Sequence, residues 1–393
     1  MTHQSFPSPL PLPLQRLHVY DSLMMNAERW QKAQQYHRQR QNVHYQSLNE
    51  PGIICGLGVR VITPPAEAAA KFHDGRWLEI QSGIAIDLEG NPIVVDPSTD
   101  RTFRIATPAP TTGTLTVYLV VSYVEPQNPK HRQGSDLIRE WFRFDEKTSP
   151  PTEKEIELCR IKLQPATVQL EAPTDVLFPG YNQLDLRYRQ RAKARPQAVV
   201  QVATTFNVSD RTYENLSYLM QSVTNLYASL QGIPEIAQVD LHSQVPNYDL
   251  LYLTGWQALN LDTKELDTII KYLLTGGVIF IEVPKNSQML VEDIKKLITF
   301  QLEIPLRSWQ ELIRNHPIRT QPFLFAALPQ INRQRIQLWN GGGIVLIEGD
   351  LSASWGLDDN HSLERNDIRT AQELAINILY FASHRRQINA CLQ

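Results

Sequence analysis

The chain has 393 residues, 42% hydrophobic and 20% charged, with a formal net charge of −3 at pH 7. That length holds roughly two or three domains with cores of their own, and the balance is that of an ordinary soluble globular protein. The charge makes no case for nucleic acid, whose recognition needs a concentrated basic face. Cys55, Cys159 and Cys391 are odd in number and far apart, which argues against a disulfide framework and against a zinc site of paired cysteines. No secretory signal pattern is visible, and no segment reaches the roughly 18 to 20 apolar residues of a membrane span. The expectation is a cytoplasmic protein that meets a membrane only through a partner.

Residues 5–14 alternate proline with leucine and serine, so residues 1–16 are expected to form an extended, polyproline-like arm. A disordered tail and an arm docked on a neighbouring subunit both remain open. Leu23 to Ser47 reads as a helix with Gln, Arg and His on every face. Trp30, Ala33 and His37 make a stripe too thin for burial in one core, which suits a bridge between subunits or domains. Trp30, Tyr36, Arg38 and Arg40 are therefore interface candidates, together with Leu10 and Leu12 of the arm.

Asn49-Glu50-Pro51-Gly52 stops that helix. Strands are expected over Ile53–Ile62, Trp77–Asp87, Pro92–Val95 and Leu115–Val124, with a turn at Leu88–Asn91. Residues 166–196 are dense in proline and charge and read as a linker. Its basic run, Arg187 to Arg195, fits a solvated linker better than a polyanion site. From Ala198 onward apolar strands alternate with amphipathic helices, which argues for a parallel, doubly wound sheet. Ser209 opens one helix and Asp262, with Glu265 three residues on, opens another as a capping box. Thr275-Gly276-Gly277 ends that second helix.

Two resemblances lie on these residues. Gln34-Gln35-Tyr36-His37-Arg38, then Gly52-Ile53-Ile54-Cys55-Gly56-Leu57-Gly58-Val59, then Gly83 to Val95, resemble the N-terminal module of phage-tail-like contractile injection system proteins at the baseplate end or in terminal structures. Tyr118 to Glu125 and Glu157 to Ile161 extend this resemblance to about residues 17–165. Tyr248 to Gly255, Leu273 to Val278, His316-Pro317, Gly343 to Asp350, Trp355-Gly356 and Ala371 to Phe381 resemble a bacterial domain of unknown function with a class I glutamine-amidotransferase-like, flavodoxin-like fold. The expected fold class is thus α+β with two domains. An N-terminal helix plus a small β domain (17–165) precede a C-terminal α/β doubly wound domain (197–384) and a tail (385–393).

The first resemblance implies a structural subunit, a baseplate-end, crown or cap part, that touches sheath, tube or baseplate and forms a homo-oligomeric ring. Its glutamine- and proline-rich composition is similar to that of cyanobacterial proteins in which such particles are tethered to thylakoid membranes. The alternative is a hydrolase or small-ligand-binding protein using the C-terminal α/β pocket. An active amidotransferase needs a cysteine on a strand-to-helix turn with a histidine base. Beyond residue 197 the chain has Cys391 alone, so no catalytic residue, cofactor or metal is assigned. Asp350, Trp355, Asp358 and His361 remain weak pocket candidates. Asn340-Gly341-Gly342-Gly343 runs into a strand, which fits a hairpin turn rather than a phosphate loop. Asp87 and Glu125 are read as structural, and His316 as a turn residue.

Overall fold

A computed structural model describes residues 13–392 apart from 126–139, 166–167, 206–207, 244, 246–247, 255–260, 286, 332 and 357–362. It is mixed α and β, and its contacts divide it into two units, Met1–Arg195 and Pro196–Gln393.

The first unit opens with helix α1 (Ala27–Leu48), capped by Asn26, whose side chain accepts from the Arg29 amide at 2.9 Å. Strands follow in the order β1 (Gly52–Gly56), β2 (Val59–Val61), β3 (Trp77–Ile80), β4 (Gly83–Ile86) and β5 (Pro92–Val95). After them come β6 (Thr102–Arg104), β7 (Leu115–Val124), β8 (Trp141–Lys147), β9 (Glu155–Leu163) and β10 (Leu184–Asp185). They form three sheets, ordered β1-β4-β5, β2-β3-β6 and β10-β9-β7-β8, with every pair antiparallel. The expected single strand over residues 53–62 is two strands in two sheets. Gly56 and Leu57 take positive φ (62° and 54°), which redirects the chain between them. Leu57, Leu78, Ile80, Leu119, Leu158 and Ile161 are fully buried in the core these sheets share.

The stretch expected as a linker is not one. Val168, Leu170 and Leu184 are buried in the same core, and β10 pairs with β9. Further on, the Ile53 amide donates to the Gln190 carbonyl (2.8 Å), the Ala192 amide to Ile53 (3.0 Å) and the Arg195 amide to Leu48 (2.8 Å). This segment covers the free edge of β1, which would otherwise expose unpaired main-chain groups.

In the second unit the run 198–205 splits into β11 (Ala198–Val200) and β12 (Val202–Thr205), which join different sheets. Then come α2 (Asp210–Leu226), β13 (Leu230–Gly232), β14 (Ala237–Val239), β15 (Leu250–Thr254), α3 (Thr263–Leu274), β16 (Val278–Val283) and α4 (Gln288–Lys296). The chain closes with β17 (Arg307–Ser308), α5 (Pro317–Thr320), β18 (Gln330–Ile331), β19 (Gln334–Arg335), β20 (Gln337–Gly341), β21 (Ile344–Glu348) and α6 (Arg365–Ala390). A seven-stranded sheet runs β14-β12-β15-β16-β21-β20-β17. Its first five strands are parallel, β20 runs antiparallel to β21, and β17 in turn runs antiparallel to β20.

Alternation along these strands explains the layers. Leu250, Tyr252, Val278, Phe280, Val345 and Ile347 face α2 and α6 in one core, whereas Leu251, Leu253, Ile279, Ile281 and Leu346 face α3 and α4 in another. Ser209 caps α2, and the capping box of Asp262 and Glu265 opens α3. Gly342, at φ 50°, turns β20 into β21. Residues 385–390, expected as part of a tail, continue α6. They are tied down by Arg386 donating to the Tyr248 carbonyl at 2.6 Å and Asn389 to that of Leu274 at 3.3 Å.

Candidate functional site

Helix α1 has no buried residue, and it stays helical because polar contacts hold its C-terminal half to the β domain. Arg38 donates to Glu125 at 2.5 Å, Gln46 donates to the Glu89 carbonyl, and the side-chain amides of Asn42 and Asn91 meet at 2.8 Å. These partners sit at the end of β7 and on the β4–β5 turn. In that turn buried Asp87 accepts from the Asn91 amide and side chain at 2.8 and 2.9 Å, and burial pushes its carboxyl up. Gly90, at φ 79°, completes the turn, and a Cβ there would lie 2.4 Å from the Asn42 carbonyl oxygen. The structural readings of Asp87 and Glu125 thus have named partners, each too distant or too local to show as a catalytic pair.

The interface candidates separate in this frame. Trp30 is 62% exposed on the half of α1 that lies ahead of these contacts, near exposed Met24 and Met25. Tyr36 is partly covered and its ring stands edge-on to His37, with centroids 5.4 Å apart. Arg40 is exposed. Arg38 has a carboxylate partner in its own unit, Glu125, which also lifts its pKa. Leu10 and Leu12 lie outside the described residues.

Of the pocket candidates, Asp350 is exposed just past β21. Among the described residues, Trp355 borders only a small apolar void in the core, with Val202, Leu216 and Leu250, and no polar cleft. It is 1% exposed, packed against Tyr252 and Phe280 with ring centroids 6.1 and 6.0 Å away. Asp358 and His361 lie outside the described residues. His316 caps α5, accepting from the Ile318 amide at 3.3 Å.

Two groupings escaped the sequence reading. Near the C-terminal ends of the parallel strands, buried Glu282 accepts from the Tyr252 hydroxyl at 2.5 Å and from the Ser352 amide at 2.9 Å. Burial raises its pKa and, with the nearby Glu282 charge, raises that of Tyr252 well above the ordinary phenol range. A polar cleft of about 350 Å³ is lined by Lys285, Gln288, Arg335, Gln337 and Glu348, large enough for a small polar ligand. The one sequence signal was an acid inside the otherwise apolar run Val278–Val283.

The second grouping surrounds exposed His242. Its Nε2 lies 3.0 Å from Asp262, and its Nδ1 lies 3.3 Å from Asp240 and 3.6 Å from Glu265. Hydrogen bonds to Asp262 and then Asp240 raise its pKa. Ligand atoms of His242, Asp262 and Glu265 lie within 4.8 Å of one another, a spacing that suits a divalent cation. Asp262 and Glu265 are already accounted for as the α3 capping box, and His242 is 20 residues away in sequence, so no ligand spacing announced the group.

Residues 198–382 match the family described as Domain of unknown function (DUF4159). No curated protein matches the chain. A chain of a solved structure described as the baseplate complex from the type VI secretion system is similar at 9% identity and a TM-score of 0.26. That similarity covers 38% of this chain and 55% of the other, so this chain spans little more than half of its length.

Proposed function

We propose that the protein is a structural subunit of a phage-tail-like contractile injection system and works through contacts with other subunits rather than through catalysis. The observation that carries this reading is α1, a 22-residue helix with no buried residue that presents Trp30 to solvent. An isolated helix of such polarity gains little from its own core, while a Trp left 62% exposed gains burial when a partner covers it. The N-terminal motif order, from Tyr36-His37-Arg38 to the Gly83–Val95 hairpin, supports a particle part, and a ring of copies is the arrangement it suggests. The C-terminal unit, read as an amidotransferase-like, flavodoxin-like domain, is then a binding or packing module.

The test is Trp30→Ala with Tyr36→Ala in cells that make the particle. The purified variant should keep its circular dichroism and its melting temperature, yet fail to co-purify with sheath and tube. Normal co-purification would sink the reading of α1 as the attachment element. Glutaminase activity of the purified protein, abolished by one substitution at the C-terminal sheet edge, would favour the enzyme alternative.

A further inference from the structure

The basic run expected to be a solvated linker lies against β1 and lines a cleft of about 560 Å³ with Ile54, Cys55, Leu186, Arg187, Arg189 and Arg191. No carboxylate lines this cleft. Arg187 is already paired, its guanidinium donating to both Asp185 oxygens at 2.9 and 2.8 Å. Arg189 is different. It is partly buried, and its acceptor is a main-chain carbonyl, that of Gly56, at 2.8 Å. Burial and then the charge of Arg191 pull its pKa down, the signature of a cation without a counter-ion. Arg191 is exposed and forms no ion pair among the described residues, although with Arg189 it also lines a neighbouring cleft whose wall carries Glu50, Glu153, Glu155 and Glu157.

Two guanidiniums two residues apart, the charge of one opposing that of the other, line a cleft whose own wall has no carboxylate among the described residues and so suit negative charge on that side. Guanidinium forks match carboxylates bidentately. The walls choose among anions. Ile54 is 52% exposed and Leu186 shares the lining, so a ligand that fits brings apolar surface with its charge. The cleft has the dimensions of a side-chain pocket, and a chain of net charge −3 offers a polyanion little long-range attraction. We propose that this cleft is a docking site for an acidic segment of a partner protein, whose neighbouring Asp or Glu carboxylates pair with Arg189 and Arg191. This surface is separate from the exposed part of α1 and does not depend on the particle reading.

Cys55 supplies the probe, because its exposed thiol lies inside the cleft while buried Cys159 has its thiol pushed up to about 12 by burial. In full-length protein carrying Cys391→Ser, alkylation by iodoacetamide reports Cys55. A fluorescein-labelled peptide with six consecutive glutamates flanked by leucines should bind by anisotropy and weaken with salt. At about ten times its Kd it should slow alkylation about tenfold. Arg191→Glu, at an exposed position, should abolish binding and protection with an unchanged melting temperature, whereas Arg191→Lys should retain part of both. Arg189→Gln serves as a second variant, accepted only if its melting temperature holds. Three results would overturn the proposal: no binding, binding indifferent to Arg191→Glu, or equal protection by inorganic phosphate or an oligothymidylate. The last would make the cleft a phosphate site.

Discussion

Asn377 sits at 0% exposure on the inward face of α6, among buried residues that are apolar apart from Ser383. Its side chain accepts from the Phe323 amide at 2.9 Å and donates to the carbonyls of Ile318 (2.9 Å) and Phe323 (2.7 Å). It therefore satisfies three main-chain groups, one in α5 and two in the irregular stretch after it. Asn377→Ala leaves those groups buried without partners, at a cost of about 2–5 kcal/mol. We expect a large fall in the urea midpoint with no change in the denaturant slope, and Asn377→Leu to be no better despite filling the space. Asp249 makes a titration argument. Its carboxylate accepts from the Gln201 amide at 2.8 Å, and burial lifts its pKa from an ordinary 3.8 to about 6. Between those values the unfolded chain has released this proton and the folded chain still holds it, so the group's contribution to stability falls as pH rises from about 4 to 6. Asp249→Asn removes the titration. The melting-temperature difference, variant minus wild type, should grow more positive over that window and stay flat above it. A difference independent of pH would show that Asp249 is not perturbed.

The strands and helix caps of the C-terminal unit were legible because each signal is local. The runs at 250–254, 278–283 and 344–348 are apolar on both faces, as strands covered by helices on two sides must be. Ser209 and Asp262 announce their helices within four residues. What could not be read were partnerships across long separations, such as Arg38 with Glu125, 87 residues apart, and Tyr252 with Glu282, 30 apart. The false linker failed for another reason. Residues 186–195 have no apolar period because main-chain pairing with β1 and α1, not side-chain burial, holds them. That difference predicts where proteases act. Val176, Leu177 and Phe178 are each more than 60% exposed, whereas residues 168–170 and 184–195 on either side are pinned. Limited chymotrypsin should nick near Phe178, and the two fragments should still elute together on size exclusion. A first cut between residues 186 and 195 would refute the pinned segment.

At the scale of the whole molecule, each unit closes its own core, which fixes where the chain divides. The first core needs Val168, Leu170 and Leu184, all 3% exposed or less, in addition to everything before residue 165. Burying three such side chains contributes roughly 5–8 kcal/mol, comparable to the entire net stability of a domain. The same segment also covers the edge of β1 and accepts the end of α1 through the Arg195 amide. A fragment of residues 13–165 should therefore fail to fold, while 13–195 should give one cooperative melt. The C-terminal unit needs nothing from before Pro196, since both faces of its sheet are covered by α2, α6, α3 and α4. Residues 196–393 expressed alone should melt cooperatively and keep the dichroism of mixed helix and sheet. If 13–165 folds as well as 13–195, the stretch after residue 165 is dispensable, and the cleft formed by Arg189 and Arg191 loses its scaffold along with the argument built on it.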